Sequence, residues 1–168
     1  MTKIIMEKLW AKNKYELMMK GYNYYKEIQA LFRQADTDKD YYLLFQRIKE
    51  IKRKPFNHNG VITTTEHLWG YFKLDASPEE KEHFFSLLNN LKQCNTTQYN
   101  YFPKEVNKLL GYIVYLLDQY ETPYLENSTL FLPKGNWNRV ILKEKEIIVS
   151  KRFFEEGSGE NLREWEEF

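Results

Sequence analysis

The chain has 168 residues, which is long enough for one domain with a hydrophobic core and short for two. Its composition is 42% hydrophobic and 29% charged, and seven Gly and five Pro exclude collagen-like and low-complexity proteins. The net charge of +1 hides an asymmetry, because residues 1–55 carry 13 Lys and Arg against seven Asp and Glu. This basic third indicates either an anionic partner or a solvated basic surface.

Several classes of protein are excluded by what the sequence lacks. No run of 18 apolar residues occurs, so we expect no membrane-spanning helix and no membrane partner. Cys94 is the only cysteine, which excludes an internal disulfide and a self-contained iron–sulfur site and indicates a reducing cytoplasm. The sequence shows no standard metal-ligand spacing, Walker loop or nucleophile elbow. We therefore predict no catalytic residue, no cofactor and no bound metal.

Apolar residues recur at steps of three and four along most of the chain, which predicts helices. Residues 7–34 fit one long helix or two abutting helices, with a weak point at Gly21. Further helices are predicted over residues 39–52, residues 63–73, the segment after Ser77-Pro78 and the segment after Pro103. The last of these is the most apolar, and we expect it at the centre of the bundle.

Two local signals mark where helices begin. Ser77-Pro78-Glu79-Glu80 combines a capping Ser, a Pro at the first helical position and a Glu that completes a capping box. Asp36-Thr37-Asp38 ends one helical segment and can cap the next.

The last part of the chain has a different residue pattern from the helical segments before it. Residues 139–149 hold two β-branched runs around a charged centre, which fits a β-hairpin or a short helix equally well. From Glu155 onward the chain carries six Glu and one Arg, which predicts a loosely held acidic tail. We predict an all-α fold, a single bundle of about five helices over residues 1–133. The extension over residues 134–168 could contain the hairpin.

The densest group of polar residues lies between Lys52 and Tyr71. Lys52, Arg53 and Lys54 follow the end of a predicted helix, where the helix dipole favours cations. A loop with His58 then leads to a helix start rich in hydroxyls, and such a start binds anions. The segment predicts a phosphate site, unless the three cations only cap their helix.

Two other patterns keep alternatives open. His58 and His67 could act as acid and base in a small-molecule pocket, with Tyr71 four residues after His67. Tyrosines interleaved with lysines, as at residues 20–26, could stack bases, although helical spacing favours a place in the core.

Three segments together resemble the YbgA-like family, a helical domain of unknown function. They are residues 9–19 (LWAKNKYELMM), residues 67–73 (HLWGYFK) with Ser77-Pro78-Glu79-Glu80 after it, and residues 123–133 (PYLENSTLFLP). The resemblance covers about residues 8–133. In that family the domain stands alone or follows a thiouracil desulfidase-like domain that binds an iron–sulfur cluster through cysteines. Because Cys94 cannot build such a cluster, we expect no desulfidase activity from this chain by itself.

The resemblance implies a non-catalytic module that binds RNA, of tRNA type, and that could work with a separate desulfidase protein. The predicted nucleic-acid contacts, from the resemblance and the polar segment together, are Lys14, Tyr15, Lys52, Arg53, Lys54, His58, Thr64, His67 and Tyr71. Two alternatives stand beside this hypothesis. One is an enzyme or nucleotide-binding protein with a pocket of His58, His67 and Tyr71, and the other is a protein-interaction partner of a desulfidase or repair enzyme.

Overall fold

The computed structural model describes residues 1–158, which form eight α-helices and two small antiparallel sheets. The helices are α1 (Thr2–Lys20), α2 (Tyr22–Gln34), α3 (Asp38–Lys52), α4 (His58–Trp69), α5 (Pro78–Lys92), α6 (Lys104–Gln119), α7 (Pro123–Glu126) and α8 (Lys151–Ser158). The strands are β1 (Phe56–Asn57), β2 (Gln98–Tyr99), β3 (Arg139–Leu142) and β4 (Lys145–Ile148). The predicted mainly α-helical fold is confirmed. Across the described part of the chain, no helix has the length and apolar character needed to cross a membrane.

Gly21 separates α1 from α2, as the sequence predicted. Its N–H donates to the carbonyls of Leu17 and Met18, which ends α1. Its carbonyl accepts from the N–H groups of Tyr24 and Tyr25, which begins α2. Gly21 thus takes part in the last hydrogen bonds of α1 and the first hydrogen bonds of α2. Its own backbone conformation is extended rather than helical.

Both predicted helix starts are confirmed by their hydrogen bonds. The Ser77 hydroxyl accepts from the Glu80 N–H at 3.1 Å, and the Glu80 carboxylate accepts from the Ser77 N–H at 2.9 Å. Thr37 and Asp40 form the same reciprocal pair at the start of α3. Each capping box satisfies backbone donors that the helix itself leaves without partners.

Helix α4 begins five residues earlier than the sequence predicted. Residues 56–60 were expected to form a loop, yet the helix starts at His58. The reason is Asn57, whose side-chain oxygen accepts from the Gly60 N–H at 2.9 Å. The same residue type that favours turns therefore caps a helix here.

Helix α1 lies at the centre of the molecule because it takes part in two separate hydrophobic cores. Its N-terminal half packs with α2, α3, β3, β4 and α8, around residues such as Leu9. Its C-terminal half packs with α4, α5, α6 and α7, around residues such as Met18. The expectation that the Pro103 helix is central was wrong: α6 buries one face and leaves Val114 and Tyr115 exposed.

The C-terminal extension forms a β-hairpin rather than a helix over residues 139–149. The hairpin turns at Lys143 and Glu144, which both have positive φ, as a two-residue turn requires. The extension buries Val140, Val149 and Phe154 in the first core. The division of the chain at residue 133 stays a prediction. Most of the predicted acidic tail, residues 159–168, lies outside the described residues.

Gly60 marks the closest approach of α4 to α1, and it generates a testable prediction. A Cβ at this position would stand 2.7 Å from the Met18 carbonyl oxygen, which is backbone that cannot move aside alone. We expect Gly60→Ala to lower the free energy of unfolding by about 1–3 kcal/mol in urea titrations.

Gly111 provides the matched control, because it lies on α6 and no neighbouring atom stands within 4 Å of where an added methyl group would lie. Gly111→Ala should raise the free energy of unfolding by about 0.5–1 kcal/mol, since alanine favours a helix interior. Equal effects of the two substitutions would contradict the close approach of α1 and α4.

Candidate functional site

A cleft of about 470 Å³ opens where the end of α1 meets the end of α3 and the start of the C-terminal extension. We call it the basic cleft, because five cations and one carboxylate line it: Lys20, Lys52, Arg53, Lys54, Lys134 and Glu16. The aromatic residues of its wall are Phe56, Tyr101 and Trp137. It therefore combines a strong positive charge with apolar ring surface.

Lys52 is part of the frame of the cleft. Its Nζ donates to the Asn13 side-chain oxygen at 3.0 Å, forms an ion pair with Glu16 and lies 5.2 Å from the centre of the Trp137 ring. Burial lowers the pKa of Lys52, and Glu16 opposes this effect. The charge of Lys52 is already balanced by Glu16 in this conformation, and its direct contact with phosphate stays a prediction.

Asn13 holds this frame together. Its side-chain amide is fully buried and donates to the carbonyls of Leu9, at 2.8 Å, and Trp137, at 2.9 Å. Its oxygen accepts from Lys52. Since a buried polar group is costly unless it is hydrogen-bonded, this residue joins α1, α3 and the extension in one fixed arrangement.

Lys20 is the unusual cation of the cleft. It is only 8% exposed, and its Nζ lies 3.6 Å from the centre of the Phe56 ring. Burial lowers the pKa of Lys20 to about 8; Glu16 opposes the shift, and the charges of Lys52 and Lys134 add to it. The fold thus keeps the Lys20 ammonium group away from water, which lowers the stability of the folded protein.

The other groups stand at the mouth of the cleft. Arg53 and Lys134 are exposed, and Lys54 lies over the Tyr24 ring with its Nζ 5.7 Å from the centre. Tyr101 is 83% exposed, so its ring is open to a partner. Of the predicted contacts, Arg53 and Lys54 are therefore the two that this cleft presents directly.

Lys14, Tyr15 and Tyr71 belong to a different surface. The hydroxyls of Tyr15 and Tyr71 share a hydrogen bond of 2.6 Å, and burial together with this bond raises the pKa of Tyr15. Lys14 lies over the Tyr124 ring at 4.6 Å, and Tyr71 stacks on the same ring. Lys14 and Lys20 are six residues apart, which places them about 120° apart around α1. The structure therefore places Lys14, Tyr15 and Tyr71 on a different surface from the basic cleft, although the sequence predicted all of them in one set of nucleic-acid contacts.

His58, Thr64 and His67 do not meet at one site. His58 and His67 are nine residues apart on α4, which puts them on opposite sides of the helix. His58 is buried, with Nδ1 3.4 Å from the Tyr99 hydroxyl, whereas His67 is exposed. The Thr64 hydroxyl is buried and already donates its hydrogen to the Gly60 carbonyl at 2.7 Å, so it has no hydrogen to offer a phosphate in this conformation. The pocket of His58, His67 and Tyr71 is not formed.

Sequence reasoning missed Lys20, Lys134 and Tyr101. Lys20 follows the apolar run Leu17-Met18-Met19 directly, and a cation that ends such a run is a signal for burial. Lys134 belongs to the extension, whose position could not be foreseen. Among residues 1–158, no group of three or more His, Cys, Asp and Glu side chains is placed to hold a metal ion.

The buried charge of Lys20 predicts a pH-dependent stability. An unfolded lysine has a pKa near 10.4. Because the pKa of Lys20 in the fold is about 8, the unfolded chain binds more protons between these values, and the free energy of unfolding rises with pH. We expect Lys20→Met to be more stable than the parent at pH 7, by about 3 kcal/mol, and most of this gap to close by pH 10.

Urea unfolding at pH 7, 8, 9 and 10 measures this gap, with Lys3→Met as the control for an exposed lysine. Glu16, Lys52 and Lys134 face Lys20 and are present in both proteins, so their titration largely cancels in the difference. A gap that does not change with pH would contradict the burial of a charged Lys20.

Comparison with protein-family models matches residues 14–134 to a family described as protein of unknown function, DUF1722, which YbgA-like proteins carry. No curated protein and no solved structure gives a significant match. The matched segment covers more than half of the chain, and it includes every cation of the basic cleft. The chain therefore belongs to the DUF1722 family, as its resemblance to YbgA-like proteins predicted.

Proposed function

We propose that this chain is a non-catalytic module that binds RNA, of tRNA type, through the basic cleft. The observation that carries the proposal is an excess of positive charge. Lys20, Arg53 and Lys134 line the cleft, and among the described residues none of them has a carboxylate within ion-pair distance. Cations gathered in this way attract the phosphates of a nucleic acid and release its counterions on binding.

The aromatic residues of the cleft divide into packing and contact groups. Trp137 stacks on Phe45, with ring centres 5.7 Å apart and planes 8° apart, and Lys52 lies near its ring, so it serves the fold. Tyr101 is 83% exposed at the rim, and no ring among residues 1–158 stacks on it. A base of a single-stranded segment can stack on such a ring while the cations hold the phosphates.

The basic surface also extends beyond the cleft. A neighbouring cavity of about 420 Å³ shares Arg53 and Trp137 with it and adds Lys49 and Lys151 to the lining. Glu50 also lines this cavity, and its carboxylate forms an ion pair with Arg47. Arg53 thus stands between two cationic cavities. This arrangement suits a chain of several phosphates better than a small isolated anion.

The choice of RNA rests on the family resemblance, which implies RNA of tRNA type as the partner. A cytoplasmic location belongs to the same proposal, because a chain with the single cysteine Cys94 fits a reducing compartment.

Binding of an unmodified tRNA transcript, followed by fluorescence anisotropy between 50 and 200 mM salt, tests the proposal. We expect affinity to fall steeply with salt. The triple variant Arg53→Ala, Lys54→Ala, Lys134→Ala should weaken binding at least tenfold and reduce the salt slope by roughly two to three. Lys52 stays unchanged, because its loss would disturb Asn13 and Glu16.

The control removes the same charge from exposed lysines that do not line the cleft, as Lys3→Ala, Lys73→Ala, Lys81→Ala. This control should lose less than threefold in affinity, since only long-range attraction changes. Equal losses in the two triple variants would show that the cleft is not the site. No binding by the parent protein at 50 mM salt would refute RNA binding and favour a protein partner.

A further inference from the structure

The basic cleft has an inner wall and a rim with different properties. Lys20 lines the cleft although it is nearly buried, and Lys52 beside it is also mostly covered, so these two form the inner wall. Arg53, Lys134 and Tyr101 are exposed and form the rim. A ligand that enters the cleft therefore meets the exposed cations first and Lys20 last.

Among the described residues, no carboxylate lies within ion-pair distance of the Lys20 Nζ. The neighbouring carboxylate, Glu16, is paired with Lys52, and the closest partner of the Lys20 Nζ is the face of the Phe56 ring. A cation–π contact compensates for only part of the cost of burying an ammonium group. A methionine would fill similar space without this cost, so the cation is best explained by a ligand that needs it.

Thr129 gives a second, independent indication that a ligand binds in the same cleft. Its hydroxyl Oγ1 is buried and has no hydrogen-bond partner among the described residues. Its backbone N–H donates to the Lys12 carbonyl at 2.9 Å, which fixes the residue against α1. A buried hydroxyl without a partner costs free energy, and an oxygen of a bound anion would satisfy it.

We propose that the inner wall binds the terminal phosphate of a nucleotide, a phosphate monoester with Lys20 and Thr129 as its ligands. The monoester belongs either to a free nucleoside monophosphate or to the end of an RNA strand. This inference rests on the proposed function of the cleft and deepens it, because it says which part of the nucleic acid enters.

Charge and shape favour a terminal phosphate over an internal one. A monoester carries about −1.5 to −2 charges at pH 7, against one for an internal phosphodiester. An internal phosphate also continues into chain on both sides, so it would have to carry both neighbours past the rim to reach Lys20. The volume of about 470 Å³ suits a single small ligand, which leaves the next phosphate at Arg53 and Lys134.

Two pairs of probes test the inference. The first pair is one RNA decamer with a 5′-phosphate or a 5′-hydroxyl, and the second is adenosine monophosphate and adenosine. We expect the phosphorylated member of at least one pair to bind more than tenfold more tightly at 100 mM salt. Preference in the first pair assigns the monoester to an RNA end, and preference in the second pair alone assigns it to a free nucleotide.

Variants separate a specific site from simple charge attraction. Thr129→Val keeps every charge and the shape of the side chain, and we expect it to reduce the preference for phosphate at least fivefold. Thr129→Ser keeps the hydroxyl and should keep the preference. Lys20→Met should abolish the preference for the phosphorylated member of the pair. Unfolding in urea should show neither Thr129→Val nor Lys20→Met to be less stable than the parent.

The failures of the two proposals can be told apart. Equal binding within both pairs, with a decamer that still binds, would overturn the terminal phosphate and leave RNA binding in place. Full retention of the preference by Thr129→Val would likewise overturn the terminal phosphate. A decamer that binds in neither form at 50 mM salt would remove the function on which this inference rests.

Discussion

The burial of α1 between two hydrophobic cores is the constraint on which the rest of the structure depends. Polar residues on the covered sides of a helix cannot reach water, so each of them must find a partner inside the protein. Asn13 meets this demand with three hydrogen bonds, to its own helix, to Lys52 of α3 and to Trp137 of the extension. The packing of α1 and the position of the extension are therefore decided together.

The basic cleft is a direct result of this arrangement. Glu16 neutralises Lys52, which is itself held by Asn13, and this leaves Lys20 without a carboxylate of its own. Ending α1 at Gly21 places Lys20 at the end of the helix, over Phe56 and in the inner wall of the cleft. The excess charge of the cleft is thus built from residues whose neighbours serve the stability of the fold. Under the proposed function, stability and binding compete at Lys20, as they commonly do at functional sites.

Local sequence signals predicted much of the fold. Ser77 with Glu80, Thr37 before α3 and Gly21 between α1 and α2 all acted as expected, because each effect depends on residues within four positions. Residues 139–149 could not be decided, since two β-branched runs suit both alternatives until a neighbouring surface is known. The hairpin forms where Val140 and Val149 can be buried against α1 and α3.

The candidate site was predicted only in part, for a similar reason. Arg53 and Lys54 were found because three adjacent cations at a helix end are visible in the sequence. Lys134 lies far along the chain, and Lys20 differs from other helix-end lysines only through its surroundings. Lys14 was grouped with Lys52 because nothing in the sequence shows which side of α1 faces α3. His67 was assigned to the same pocket as His58, although the two residues are nine positions apart on α4.

The link between α1 and the extension also bears on how the chain folds. The Lys12 Nζ donates to the Arg139 carbonyl across 127 positions of sequence, and Leu9 shares a core with Phe154. During synthesis, α1 therefore gains its full set of neighbours only after the extension, 127 positions later in the chain, has emerged. Contacts of such long sequence separation slow folding, and they leave the apolar faces of α1 uncovered until the extension has been made. During that interval the growing chain needs protection from aggregation, a demand that follows from placing α1 at the centre.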